Sequence, residues 1–402
     1  MQMSPRKAAG DFFEQGGRGL QSSALREANR RAVLTYLFLE PGSSMADISR
    51  LTGLAPQTTS AILVELEDEK LVKRGEPLRG RRGQPATPVF IDPNNTLTVG
   101  VELSWHHLEV VVLNIGLEVL GRYRRSFPFP DARTVTAEIV SAVNELKTTL
   151  SAEQQSRLIA IGIAMPSALD QNLPLLGAPP EQVALWQNLD LPASIERETQ
   201  LPTECYFGGN AAAWAELVSY RAPRPTSFAY LFVGTFLAGS IVSQSTIWEG
   251  LTGEAACFGS MLVAGENNAL VAAQQVASVT ALARMLRDKG IAVPHEDPAD
   301  WPWADWGNDL LPWLEKAAQA NATVILNATA AVGCDHVIMD GVLPVALMTQ
   351  LVDETRRQLE TLENGDIARP SISQGHLGSS ASALGAAELP VFRRYFSREV
   401  LA

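Results

Sequence analysis

The stretch Ser44-Met-Ala-Asp-Ile-Ser-Arg-Leu-Thr-Gly-Leu-Ala-Pro-Gln-Thr-Thr-Ser60 decides how the N-terminal part of this chain folds. Ser44 reads as a helix N-cap, with Asp47 at the third position, where a carboxylate meets the free N–H groups of the first turn. Gly53 supplies a stop, since it accepts the left-handed conformation that closes a helix. Pro56 sits where a first-turn proline is allowed, so a further helix opens there and runs to about Lys70. Upstream, Leu25, Ala28, Ala32, Val33, Tyr36 and Leu37 recur at helical spacing over Ser22–Phe38, and Pro41-Gly42 ends that helix. Downstream, Leu71-Val-Lys-Arg74 and Pro88-Val-Phe-Ile91 flank a loop rich in Gly, Arg and Pro. Helix, short helix, helix and a two-stranded wing make a winged helix-turn-helix. In that fold the third helix enters the major groove, which brings Gln57, Thr58, Thr59 and Ser60 to base edges and phosphates while Ile62, Leu63 and Leu66 face the core. The bland alternative is that these four residues only cap the helix. In the wing, Arg81-Arg82-Gly-Gln84-Pro forms a narrow cationic strip suited to an A·T-rich minor groove.

The rest of the chain has a different charge. The 402 residues carry 32 Lys and Arg against 44 Asp and Glu, a net charge of −12. Residues 1–92 hold 13 basic and 11 acidic residues, and Lys70–Arg82 holds six basic residues against Glu76 alone. The acidic excess therefore lies beyond residue 92, and only the small head is suited to a polyanion. A hydrophobic share of 46% against 19% charged excludes a disordered chain, and the length allows two or three domains. Cys205, Cys257 and Cys334 are too few and too scattered for a disulfide framework, which fits a reducing cytoplasm. The polar N-terminus lacks the apolar core of a signal peptide, and Phe228–Val242 is too short for a membrane helix, so a cytoplasmic protein with no membrane partner is expected.

From Thr96 the pattern turns to α/β. Leu97–Leu103, Leu108–Ile115 and Glu118–Arg125 read as a strand meander, followed by a helix over Val135–Leu150 and a strand over Ile159–Ala164. Pro166–Pro202 reads as a loop-rich region with one or two short helices. A second meander begins at Phe228, with helices expected over Ala269–Lys289, Leu310–Ala331, Pro344–Glu360 and Ser380–Phe396 and a strand over His336–Met339. Two such units imply a duplicated body with a cleft between lobes, where a small ligand would sit. The expected organisation is a flexible tail over 1–20, a winged helix-turn-helix domain over 21–92 and a two-lobe body over 96–402. The lobe boundary falls near 205–228, and the last helix can return to the first lobe. Trp301, Trp303, Trp306 and Trp313 read as core or interface packing rather than a ligand platform. His106 and His107, adjacent on one strand, point to opposite faces and cannot readily share a metal.

Several short motifs now combine. Leu54-Ala-Pro-Gln-Thr-Thr-Ser60, Gly80-Arg-Arg-Gly-Gln-Pro-Ala86, Asn210-Ala-Ala-Ala-Trp-Ala-Glu216, Gly253-Glu-Ala-Ala-Cys-Phe-Gly-Ser-Met261, Val337-Ile-Met-Asp-Gly341 and the segment Leu377–Pro390 follow one another in this order. From about Leu25 onward the chain resembles the ROK family of repressors and sugar kinases. The resemblance implies a sugar-kinase-like body with a duplicated two-lobe actin/hexokinase-like ATPase fold, joined to a DNA-binding head. It also implies a homodimer or tetramer on a double-stranded DNA operator, with a sugar or sugar derivative as effector.

The departures from the family argue against catalysis. Where its kinases have an Asp-x-Gly-Gly-Thr phosphate turn, this chain has Glu102-Leu-Ser-Trp-His106, with no glycine and a bulky Trp105. The family's Glu-Asn-Asp-Ala-Asn motif falls on Tyr206–Asn210, so Gly208 stands in place of the general base, whose loss costs roughly 10²–10⁴ in rate. Phe236, Ala238 and Ser240 fill a second phosphate turn. The family's Gly-Glu-x-Gly-His segment falls on Ala256–Ser260, and the zinc loop that follows it is replaced by Val263–Asn268, so neither a metal nor a cofactor is expected. The leading expectation is a catalytically inactive regulator, a repressor of a carbohydrate uptake or catabolism operon. Asn210, Trp248, Glu249, Glu254 and Ser260 are the candidate effector ligands. An ATP-dependent sugar kinase carrying a DNA-binding head is the alternative, and a scaffold that has lost its ligand is a third reading.

Overall fold

In the computed structural model, residues 22–77, 87–220, 223–251, 253–294 and 297–396 are described. The head opens with α1 (Ser22–Leu39), whose Val33, Leu34 and Leu37 are buried. A two-residue strand β1 (Ser43–Ser44) leads into α2 (Met45–Thr52), which carries a full capping box: the Ser44 hydroxyl accepts from the Asp47 N–H, and the Asp47 carboxylate accepts from Ser44. Gly53 closes α2 at φ 73°, and α3 (Pro56–Asp68) follows. Strands β2 (Val72–Arg74) and β3 (Pro88–Ile91) complete a three-stranded sheet in the order β1-β3-β2.

The body holds two five-stranded sheets of the same design. In the first, β4 (Leu97–Leu103), β5 (His107–Asn114) and β6 (Val119–Ser126) form an antiparallel meander. Helices α4 (Val135–Thr148) and α5 (Ala152–Ser156) follow, and β7 (Leu158–Met165) returns parallel to β4. Three helices, α6 (Leu169–Asn172), α7 (Glu181–Asn188) and α8 (Leu191–Thr199), lead to β8 (Thr203–Phe207), parallel to β7. Helix α9 (Gly208–Ser219) starts directly from its end.

The second sheet repeats the plan. Its meander is β9 (Phe228–Val233), β10 (Leu237–Ser243) and β11 (Thr246–Ile247). A ribbon of β12 (Leu262–Ala264) and β13 (Leu270–Ala272), then α10 (Gln274–Ala277), α11 (Val279–Asp288), α12 (Trp303–Trp306) and α13 (Leu311–Val332), lead to β14 (His336–Gly341), parallel to β9. Helix α14 (Val345–Thr361) and β15 (Ser371–Gln374), parallel to β14, complete it. The orders β6-β5-β4-β7-β8 and β11-β10-β9-β14-β15 are therefore equivalent. Trp301, Trp303, Trp306 and Trp313 lie in the core of the second lobe. No helix among the described residues is long and apolar enough to cross a membrane.

The segment expected as one helix over Ala269–Lys289 is instead a strand and two helices. Ser278 adopts an extended conformation and caps α11 by accepting from the Ala281 N–H, which breaks the run. The edge strands β8 and β15 were absent from the expected pattern, because short edge elements have little periodicity to show, and Pro166–Pro202 holds three short α-helices where one or two were expected.

The last helix, α15 (Ala381–Val391), lies across the first sheet and against α9 rather than in the second lobe. Small residues make this possible. A Cβ on Gly162 would fall 1.9 Å from the Ala386 carbonyl oxygen, and one on Gly385 would fall 1.8 Å from that of Ala211. The Thr98 hydroxyl donates to the Ala387 carbonyl at 2.7 Å. Past α15, the turn Phe392–Phe396 enters the core of the head, where Val391 and Phe396 pack with Val33, Leu34, Leu37 and Leu63. Phe392 and Phe396 lie 5.2 Å from the Phe38 ring, and the Thr35 hydroxyl donates to the Phe396 carbonyl at 3.1 Å.

Overpacking at this crossing is expected to be costly. Gly162→Ala should lower stability by about 1–3 kcal/mol, read by urea unfolding of the full chain. An unchanged midpoint would show that α15 does not seat on the sheet at this distance.

Candidate functional site

Two places in the fold present functional groups, the exposed face of α3 and the cleft between the lobes. On α3, Gln57 and Thr58 are exposed, and no side chain caps the helix N-terminus, leaving its first-turn N–H groups suited to an anion. Ser60 is half-buried. Thr59 departs from the expected surface set. It is fully buried, and its hydroxyl donates to the Ala55 carbonyl at 3.3 Å. The reason is helical spacing: Thr59 lies three, four and seven residues before Ile62, Leu63 and Leu66, on the same core-facing stripe. Arg81, Arg82 and Gln84 fall outside the described residues. The acidic end of α3 is tied to cations, Glu65 to Arg26, Glu67 to Arg74 and Glu69 to Arg30 at 2.7 Å. The Arg30 guanidinium holds the Glu69 carboxyl below its ordinary range. Those arginines are engaged within the head.

The cleft contains a cavity of about 250 Å³. Aromatic walls come from Trp105, Phe207, Phe232 and Phe236, and acidic groups from Glu102, Glu254 and Asp297. Asn210, Glu254 and Ser260 of the expected effector set line it. Asn210 is buried at the start of α9; its amide oxygen accepts from the Ser240 hydroxyl at 2.8 Å, and its amide N–H₂ reaches the Gly253 carbonyl at 3.4 Å. Trp248 and Glu249 do not line the cavity. Trp248 is half exposed, and Glu249 is drawn away by Arg393, 3.0 Å distant, which also holds Glu204 at 2.9 Å and stacks 4.8 Å over Tyr206.

The two turns at residues 104–106 and 234–239 both line the cavity. Trp105 meets Phe236 edge-on, with ring centroids 4.8 Å apart. Behind the second turn, the space beside Gly239 is taken by Phe258, whose ring would stand 2.4 Å from any Cβ there. Gly208 begins α9 beside Met165 and Ser382, and it brings no carboxylate to the position of the general base.

Sequence reading missed a buried ionic network behind the cavity. The antiparallel register sets Glu102 opposite Glu109 and Glu109 opposite Arg124. Glu109, fully buried, accepts from Arg122 and Arg124 at 2.6 Å each. His107 lies 3.0 Å from Asp297 through Nδ1 and 3.5 Å from Glu102 through Nε2, and Arg124 also pairs with Asp297. Asp297 precedes α12 in the second lobe, so this network bolts one lobe to the other. The hairpin register brings Glu102, Glu109 and Arg124 together, and a cross-lobe contact adds Asp297, which no local sequence pattern signals. Glu102, His107 and Glu109 stand close enough to hold a metal ion. Their donors are directed elsewhere, however: both Glu109 oxygens accept from arginines, and the adjacent guanidiniums oppose a cation. His106 is half-buried apart from this network, and partial burial lowers its imidazole pKa.

Burial alone would lower the His107 pKa, but the hydrogen bonds and charges of Asp297 and Glu102 outweigh it and carry it to about 9. Burial likewise opposes ionisation of Asp297, while His107 and Arg124 hold that carboxyl well below its usual range.

The model of the ROK family matches residues 98–391. The chain belongs to the ROK family. A winged helix-turn-helix DNA-binding model matches residues 26–73. Among relatives, the xylose repressor of Bacillus subtilis is 23% identical over 243 residues, covering 60% of this chain and 61% of the repressor. The N-acetylmannosamine kinase of Escherichia coli is 26% identical over 240 residues, covering 58% of this chain and 79% of the kinase. Among solved structures, a ROK family transcriptional regulator described as a homologue of the E. coli MLC protein superposes with a TM-score of 0.70 at 18% identity, over 94% of this chain and 98% of its own.

The bolt sets a pH dependence. A raised histidine pKa contributes stability that is complete below the unfolded value of about 6.5 and is lost as pH rises through about 9. The stability difference between the wild type and His107→Gln should therefore shrink between pH 6.5 and 10, read by urea titration at each pH. A difference that stays constant would show that His107 is not protonated in the bolt.

Proposed function

We propose that this protein is a DNA-binding transcriptional repressor of a carbohydrate uptake or catabolism operon. In this reading the body senses a sugar or sugar derivative and transfers no phosphoryl group. One observation carries it. The helix that lines the cavity through Ser382 ends in the hydrophobic core of the DNA-binding head through Val391 and Phe396. A change in the cleft therefore has a short, rigid route to α1 and α3. The ligand binds better in one inter-lobe geometry, and that geometry sets how two heads meet two half-sites. Two heads at a palindromic operator require a two-fold assembly, so the chain acts as a homodimer or tetramer.

Support for the inactive body comes from Gly208 at the base position and from the Trp105–Phe236 contact across the phosphate turn. The xylose repressor relative supports a sugar-linked regulator over a kinase.

On the DNA, Gln57 is suited to a bidentate pair with adenine, and Thr58 to a phosphate or a base edge. Arg81, Arg82 and Gln84 of the wing would supply minor-groove and backbone contacts. The test is titration of the full chain against promoter fragments flanking its own gene, at several salt concentrations. Gln57→Ala should weaken the specific complex by about 1–3 kcal/mol while leaving non-specific binding intact. Arg81→Ala with Arg82→Ala should weaken binding and lower the salt slope by roughly 2. Equal affinity for promoter and random DNA would refute the reading.

A further inference from the structure

We propose that Arg393 is a positioning residue that ties the root of a cleft-wall loop to the DNA-binding head, so that moving the loop moves the head. The inference deepens the repressor reading, in which the cleft governs the head, and rests on it.

The loop between β11 and the turn Phe258–Ser260 supplies one wall of the cavity through Glu254, Ala255, Ala256 and Cys257. Two hydrogen bonds close it on itself. The Ala255 N–H donates to the carbonyl of Glu249, at the loop's root, at 3.2 Å, and the Cys257 thiol donates to the Glu254 carbonyl at 3.0 Å. Ala256 keeps a left-handed φ of 61°, which a residue with a Cβ holds only where its surroundings impose it. Two contacts seat the loop beside the start of α9: the Asn210 amide donates to the Gly253 carbonyl at 3.4 Å, and Gly253 faces the Phe207 ring. A ligand that displaces the cavity wall therefore acts on Glu249 as well.

The Glu249 carboxylate points away from the cavity, to Arg393. That guanidinium donates to Glu249 through Nη2 at 3.0 Å and to Glu204 through Nη1 at 2.9 Å, and it stands 4.8 Å over the Tyr206 ring. Glu204 and Tyr206 share one face of β8, while Phe207, on the other face, lines the cavity. One planar fork thus grips both the loop root and the strand that leads into the cleft. A point charge could not bridge the two carboxylates in this way. Arg393 itself belongs to the turn Phe392–Phe396, whose two phenylalanines pack on Phe38 of α1. The seating of α15 on the first sheet has no long side chains to rearrange, whereas this tie has a made and a broken state. Its side chains are 32% and 30% exposed, so water can replace either partner when the tie opens.

Hydrogen–deuterium exchange of the ligand-free full chain tests the tie without a known effector. Glu249→Gln removes the charge and leaves the loop's backbone bonds in place. Exchange should quicken about three- to tenfold in residues 253–257, and also in Phe392–Phe396 and Ser22–Leu39. Arg393→Lys should reproduce this pattern, because an ammonium cannot hold Glu204 and Glu249 together. Glu315→Gln, an exposed carboxylate on α13, should alter none of these segments. Melting temperatures recorded beside each variant separate a local change from loss of fold. A purely structural role for the loop would leave DNA binding unmoved, so the second readout is titration against the promoter fragments flanking the protein's own gene. There Glu249→Gln should weaken the specific complex at least threefold, roughly, and leave random DNA unaffected. Exchange that quickens only in residues 253–257, or nowhere, or a promoter affinity that does not fall, overturns the proposal. A wild type that does not select its promoter removes the repressor reading, and the exchange pattern then decides the tie by itself.

Discussion

The near-contact of helix Ala381–Val391 with the first sheet constrains the rest of the body. Gly162 and Gly385 leave no room for a methyl group at either crossing, so the helix lies against β7 on one side and α9 on the other with backbone almost touching backbone. Such a fit is rigid because it has no long side chains to rearrange. It also fixes two ends at once. Near its start, Ser382 donates to the Gly208 carbonyl beside the cavity. At its far end, Phe392 and Phe396 pack on Phe38 of the head. Glu388, buried within the same helix, has its carboxyl pushed up to about 8 by desolvation.

Trp105 of one cavity turn and Phe236 of the other meet in an edge-on ring contact, and Phe258 packs against Gly239. The lobes are joined by charge as well: Arg124 and His107 of the first lobe hold Asp297 of the second. A kinase must open and close its cleft in every turnover, whereas a sensor needs only two states of differing ligand affinity. A buried ionic bolt between lobes suits the second requirement, because its geometry is discrete and costly to leave half-made.

Most of the fold was legible in the sequence for physical reasons. Strands such as Leu97–Leu103 and Phe228–Val233 are buried along almost their whole length and read as apolar runs, and α13 and α14 are long enough to show helical spacing. The capping signals of α2 and α3 came directly from Ser44, Asp47, Gly53 and Pro56. The ribbon β12–β13 and the edge strands β8 and β15 were not legible, because three to five residues carry no period. Of the expected effector ligands, Asn210, Glu254 and Ser260 line the cavity, whereas Glu249 is held by Arg393, a contact between residues 144 apart in the chain that no local pattern signals. Thr59 could have been assigned correctly by extending the apolar stripe of α3 one turn back. The Glu102–His107–Asp297 network depends on a hairpin register and a cross-lobe contact that no local pattern encodes.

In the proposed repressor, cleft and head respond together through the C-terminal helix. Hydrogen–deuterium exchange of the full chain, with and without a saturating monosaccharide that it binds, tests this coupling. Protection should change in Ala381–Val391 and in Ser22–Leu39 together, in step with occupancy of the cleft. Changes confined to the segments lining the cavity, with the head unaltered at saturation, would contradict it.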